Sequence, residues 1–149
     1  MNRITLPGLI LCFFTLPAFA NEGIITLQSK HNVENTVERL YDALGAKGMR
    51  VFAEIKHDEG AMKAGLALNP TRLVIFGNPK VGTPLMQCDQ KTGLDLPQKM
   101  LVWQDTNGLT WLSYNDPAYL GKRHQLEKCK PVLEKVKKAL SGFAKAATD

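Results

Sequence analysis

Apolar residues along this chain recur at two spacings, and each spacing predicts a different element. Val33, Val37, Leu40, Tyr41 and Leu44 return every three or four positions, so they share one face of a helix. Asn32 stands where a capping side chain belongs, Glu34 lies at the positive end, and Gly48 supplies a stop. A second helical stripe follows Pro131: Val132, Leu133, Val136, Leu140 and Phe143. Proline suits a first turn because its φ is preset and its missing N–H has no partner there. Elsewhere the period is two, or the apolar run is unbroken. Residues 24–29 read as a first strand, and residues 49–55 as a second in which Val51, Ala53 and Ile55 share a face. Residues 73–76 (LVIF) read as a buried third strand. Residues 100–105 and 109–114 are the clearest strands. Between them, Thr106-Asn107-Gly108 contains the Asn-Gly pair favoured in tight hairpins, where φ must turn positive. Thr83-Pro84 predicts a short helix running through Met86 and Cys88. Strand–helix alternation with an antiparallel hairpin predicts an α+β domain. The expectation is a mixed, mainly antiparallel sheet of about five strands, packed with two main helices and short connecting helices.

The first twenty residues follow neither period. Arg3 is the only charge before Glu22, residues 4–14 (ITLPGLILCFF) are mostly apolar, and Ala18-Phe19-Ala20 is a small-x-small cleavage pattern. These are the three parts of a secretory signal peptide, residues 1–20, cut after Ala20. The run is shorter than the roughly 20 apolar residues a membrane span needs. Leu11 is too large to precede a lipidated cysteine at Cys12. The expected product is residues 21–149 as one exported domain, periplasmic and without a stable membrane anchor.

Removing 20 of the 149 residues leaves 129, the size of one ordinary domain. Arg3 leaves with the leader, so the formal net charge falls from +5 to +4. Lys128, Lys130, Lys135, Lys137, Lys138 and Lys145 supply much of that excess. Neither an arginine cluster nor interleaved aromatics accompany them, so they read as a solvated helix face, and no nucleic-acid partner is expected. Of the three cysteines, Cys88 and Cys129 survive cleavage. In an oxidising compartment an isolated pair reads as one disulfide, with two separate buried thiols as the alternative.

Three longer stretches are more specific than any period. Residues 76–87 read FGNPKVGTPLMQ, residues 95–105 DLPQKMLVWQD, and residues 113–124 SYNDPAYLGKRH. In wording and order they resemble the signature segments of domain-of-unknown-function family 302, small bacterial α+β domains. The resemblance spans about residues 24–142. It implies a homodimer and assigns no activity. Cys88 departs from the small apolar residue common at its place in the family, so the cysteine pair reads as an addition suited to export.

The chemistry-bearing residues fall into two sets. Asn78-Pro79 forces a turn, Gly82 permits positive φ, and Thr83 opens a helix whose free N–H groups suit an anion. With Tyr114 and Asn115 they form the candidate ligand-binding set of a homodimeric small-ligand module, the ligand being an anion in one version. The spacing is not that of a P-loop, and a plain turn with a helix cap is the competing reading. The second set comprises His57, Asp95, Asp116 and His124. A histidine oriented by a carboxylate supports acid–base work near neutral pH, which would make a small hydrolase- or lyase-like enzyme. Structural hydrogen bonding is its competitor. Histidines at 31, 57 and 124 lack metal-binding spacings, so neither a metal nor a cofactor is expected. Trp103 and Trp111 fall on the paired strands, where core or interface packing explains them better than base stacking.

Overall fold

The computed structural model describes residues 23–149; the predicted leader, with Cys12, lies outside the described residues. Five strands form one sheet: β1 (Ile24–Gln28), β2 (Arg50–Lys56), β3 (Thr71–Gly77), β4 (Gln98–Gln104) and β5 (Thr110–Asn115). Their spatial order is β1-β5-β4-β3-β2. All four ladders are antiparallel, so no mixed pairing occurs among the described strands. Helices α1 (Val33–Gly45), α2 (His57–Lys63), α3 (Pro79–Cys88), α4 (Pro117–Arg123) and α5 (Lys130–Thr148) connect and cover the sheet, with 3-10 turns at Gln90–Leu94 and Glu127–Cys129.

The helix-facing side of the sheet can be read from the register. Val74 lies opposite Met100, which lies opposite Tyr114; Val102 lies opposite Leu112. Cross-strand partners share a face, and all five are buried. Leu40 and Leu44 of α1, with Leu140 and Phe143 of α5, close over them. The Phe76 and Phe143 rings meet edge to face, with centroids 6.1 Å apart. Asn32 caps α1 as its sequence position predicts, Oδ1 accepting from the Asn35 N–H at 2.8 Å.

Two local expectations are corrected. Val51, Ala53 and Ile55 do not share a face, because a bulge interrupts β2 between Val51 and Ala53. Val51 pairs with inward Phe76, whereas Ala53 and Ile55 pair with Ile75 and Leu73 on the opposite side. Phe52 is the extra residue, and a bulge re-aims the side chain it carries. The helix expected from Thr83 instead starts at Pro79 and runs through Pro84 to Cys88. Asn78 caps it and Pro79 occupies the first turn, which is a stronger start than the Thr83-Pro84 pair inside it.

Candidate functional site

The chain leaving β3 builds one wall of a cleft. After Gly77, the Asn78 Oδ1 accepts from the Lys80 N–H at 2.9 Å, and its Nδ2 donates to the Gly48 carbonyl at 3.1 Å. The Asn78 carbonyl takes the N–H groups of Val81 and Gly82, and Pro79 has none. All donors in the first turn of α3 are therefore engaged. Gly82 is helical and not at positive φ, and Thr83 sits within α3. The anion cradle expected from Gly82 and Thr83 is thus corrected: its donors are spent on the cap.

What the same segment does form is an apolar cleft of about 280 Å³. Val81, Leu85 and Met86 of α3 line one side, Leu96 and Pro97 another, with Met49, Phe52 and Val136 completing it. Asn78, Gly82 and Thr83 belong to this lining. The bulge at Phe52 lays its ring over Gly77, where an added Cβ would come within 3.2 Å of it. The lining residues include no charged side chain. Gln98, at the start of β4, also lines the cleft and is only 9 % exposed. It was absent from the sequence-derived candidates. Its signal was present, since it lies two residues before inward Met100 and four before inward Val102, a polar residue on a core-facing register.

Tyr114 and Asn115 do not join Asn78, Gly82 and Thr83. Tyr114 is buried in the core, opposite Met100 and Ile25. Burial, then the nearby Asp116 carboxylate, pushes its phenol above the ordinary value, with Ser141 acting the other way. Asn115 closes β5 beside Ile24. Neither lines the cleft.

The acid–base candidates separate into two ends of the sheet. His57 follows Lys56, which pairs with Arg72, whereas Asp95 precedes Gln98, which pairs with Phe76. A seven-residue strand, roughly 20 Å, lies between these ends. His57 is exposed. Its neighbours Asp58 and Glu59 instead bind Arg72 at 3.3 and 3.1 Å. Bonds from Lys56, then from Arg72, hold the Glu59 carboxyl below its ordinary range. At the other end, Asp116 is committed as the cap of α4, accepting from the Ala118 N–H at 2.9 Å.

His124 and Asp95 do meet, Nε2 to Oδ2 at 2.6 Å. Arg123 adds an ion pair to the other carboxylate oxygen at 3.4 Å. The geometry satisfies acid–base catalysis, but access does not: the His124 side chain is 5 % exposed and the pair lies outside the cleft lining. What the pair does is tie the segment ahead of β4, and thereby Leu96 in the cleft wall, to the end of α4. Cys88 and Cys129 form a disulfide, Cα to Cα 6.5 Å, joining the end of α3 to the start of α5.

Residues 25–143 match the family model described as "Domain of unknown function DUF302". The chain belongs to this family. A DUF302 crystal structure, an uncharacterized conserved protein from Bacillus stearothermophilus, superposes with a TM-score of 0.78 at 22 % identity. It covers 85 % of this chain and 98 % of that one, and so shares the fold. Proteins from Brucella suis biovar 1 and Brucella melitensis biotype 1, named fluoride-specific ion channels, are 46 % identical over 111 residues. The match takes 74 % of this chain but only 44 % and 41 % of those proteins. This DUF302 chain therefore spans less than half the length of these relatives. No helix of its described residues is long and apolar enough to cross a membrane.

Proposed function

We propose that this DUF302 chain is a binding module for a small, mainly apolar ligand, held in the cleft beneath α3. The cleft carries the reading: an uncharged, largely apolar concavity with a few placed polar groups is the usual form of a small-molecule site. Engagement of the α3 donors argues for an apolar ligand and against the anion version. Titration of the protein with an apolar fragment set, followed by amide chemical shifts, tests the reading. Val81, Met86 and Leu96 should move together, and Met86→Trp, which fills the cleft, should abolish the response. A set that moves no cleft residue, or an unaltered response in Met86→Trp, would sink it.

The module is read as an exported homodimer. Export rests on the residues 1–20 pattern, and a mature chain whose N-terminus is not Asn21 would contradict that cut. Dimerisation is supported by the apolar sheet face opposite the helices.

The likeness to proteins named fluoride-specific ion channels favours a second reading, in which the chain assists fluoride transport beside a membrane channel. Deleting it should then raise fluoride sensitivity, and unchanged tolerance would count against the reading.

A further inference from the structure

Gln98 sets a chemical requirement on whatever enters the cleft. Nine-tenths of the residue is removed from solvent and it borders the cleft, yet its amide is not among the fully buried unpaired groups, so the amide keeps its contact with solvent on the cleft side. An occupant that expels the water in front of this amide must replace its hydrogen bonds, because stripping an amide of water without replacement is costly. Of the other polar side chains in the lining, Asn78 has spent both ends of its amide on Lys80 and Gly48, and Thr83 is exposed. Gln98 is thus left to face an occupant. Whichever way its amide is flipped, it presents one acceptor and a donor side by side.

Resting on the cleft reading above, we propose that Gln98 recognises a planar ligand of about two rings by pairing with a lactam or carboxamide edge. The size follows from the 280 Å³ of space, nearly twice the ~150 Å³ that takes one benzene. The edge follows from the amide. A ligand carbonyl accepts from the Gln98 N–H while a ligand N–H donates to its carbonyl. A purely apolar ligand would displace water and strand the amide. A carboxylate offers no donor and would bring its charge among side chains that carry none to meet it.

The test uses the exported chain with its disulfide intact and three probes of one shape: naphthalene, 2-naphthamide and 2-naphthoate. Cleft shifts in NMR titrations give the affinities. The expected ranking in the wild type is amide over naphthalene by at least about tenfold, the net worth of the two paired hydrogen bonds, with the carboxylate weakest. Gln98→Met keeps the length and removes the amide, and should bind 2-naphthamide and naphthalene alike. Equal wild-type affinities, a preference for 2-naphthoate, or a preference for the amide that survives in Gln98→Met would each overturn the role of Gln98 while leaving the cleft reading standing. Binding of none of the three overturns the cleft reading and this proposal together. The wild-type ranking needs no variant, so it decides the matter even where Gln98→Met fails to fold.

Discussion

Asp105, at the mouth of the β4–β5 hairpin, shows how much one side chain settles. Its Oδ1 accepts the N–H groups of Asn107 and Leu109, and its Oδ2 takes the Trp111 indole N–H at 2.9 Å. The bond from Trp111 is the main reason its carboxyl is held below the ordinary range, with the two backbone bonds adding to it and burial opposing. A depressed folded-state value means the carboxylate contributes stability above the ordinary range, near pH 4, and loses it as pH falls through the folded value. Asp105→Asn should therefore lower the melting temperature at neutral pH, with the gap to wild type closing in acid; a constant gap across the titration would refute the assignment. The turn itself was legible, since Asn107-Gly108 brings φ to +80° at Gly108. The chelate was not, because it exists only once Trp111 comes back across the hairpin. Gly23 carries a similar lesson. Its φ is +90°, and an added Cβ would sit 2.7 Å from the Tyr119 ring. Gly23→Ala should cost about 1–3 kcal/mol in urea unfolding, from strained backbone and the displaced ring together.

At the scale of elements, α1 and α5 were legible because each carries an amphipathic stripe long enough to establish its period. The short helices obey other forces. α2 has no buried residue and hence no stripe to detect; Arg72 holds it through Asp58 and Glu59. α3 contains Gly82 and Pro84, both helix-weakening in isolation, yet it survives through the Asn78 cap, buried Leu85 and the Cys88–Cys129 link. The disulfide spans 41 residues, so in the chain-entropy model it stabilises by about 4 kcal/mol. The Cys88→Ala/Cys129→Ala double variant should lose most of that in urea unfolding. Because α3 is a wall of the cleft, the same variant should bind apolar fragments more weakly in the titrations described above. Unchanged affinity would show that the wall stands without its staple.

Across the whole molecule, the helices cover one face of the sheet and leave the other half-exposed. That second face carries Leu73, Ile75, Leu101, Trp103 and Trp111, with Ala53 and Ile55 toward the edge. The two tryptophans stack, centroids 6.3 Å apart and planes 26° from parallel. Their indole N–H groups are already bonded, to Ser113 and Asp105, so the rings offer apolar surface with the polar handles paired within the chain. Contiguous apolar surface of this kind marks an interaction site, and it supports the homodimer proposed above. Trp103→Lys should convert a dimer to a monomer in sedimentation velocity with little loss of secondary structure. A wild-type monomer at high concentration would remove the proposal.

The sequence by itself determined the α+β class, the two main helices, the β4–β5 hairpin and the Asn32 cap of α1, because those depend on contacts between residues close along the chain. Its three signature segments also pointed to the family. Which polar residues meet was decided only by the tertiary structure. His124 meets Asp95 and not Asp116, which caps α4. Tyr114, a core position already on its sequence pattern, lies away from Asn78 and outside the cleft. Asn78, Gly82 and Thr83 came together, but around an apolar space whose one unspent amide is Gln98. Sheet order and the packing of the connecting helices set those distances, and neither is encoded in the local period of the residues involved.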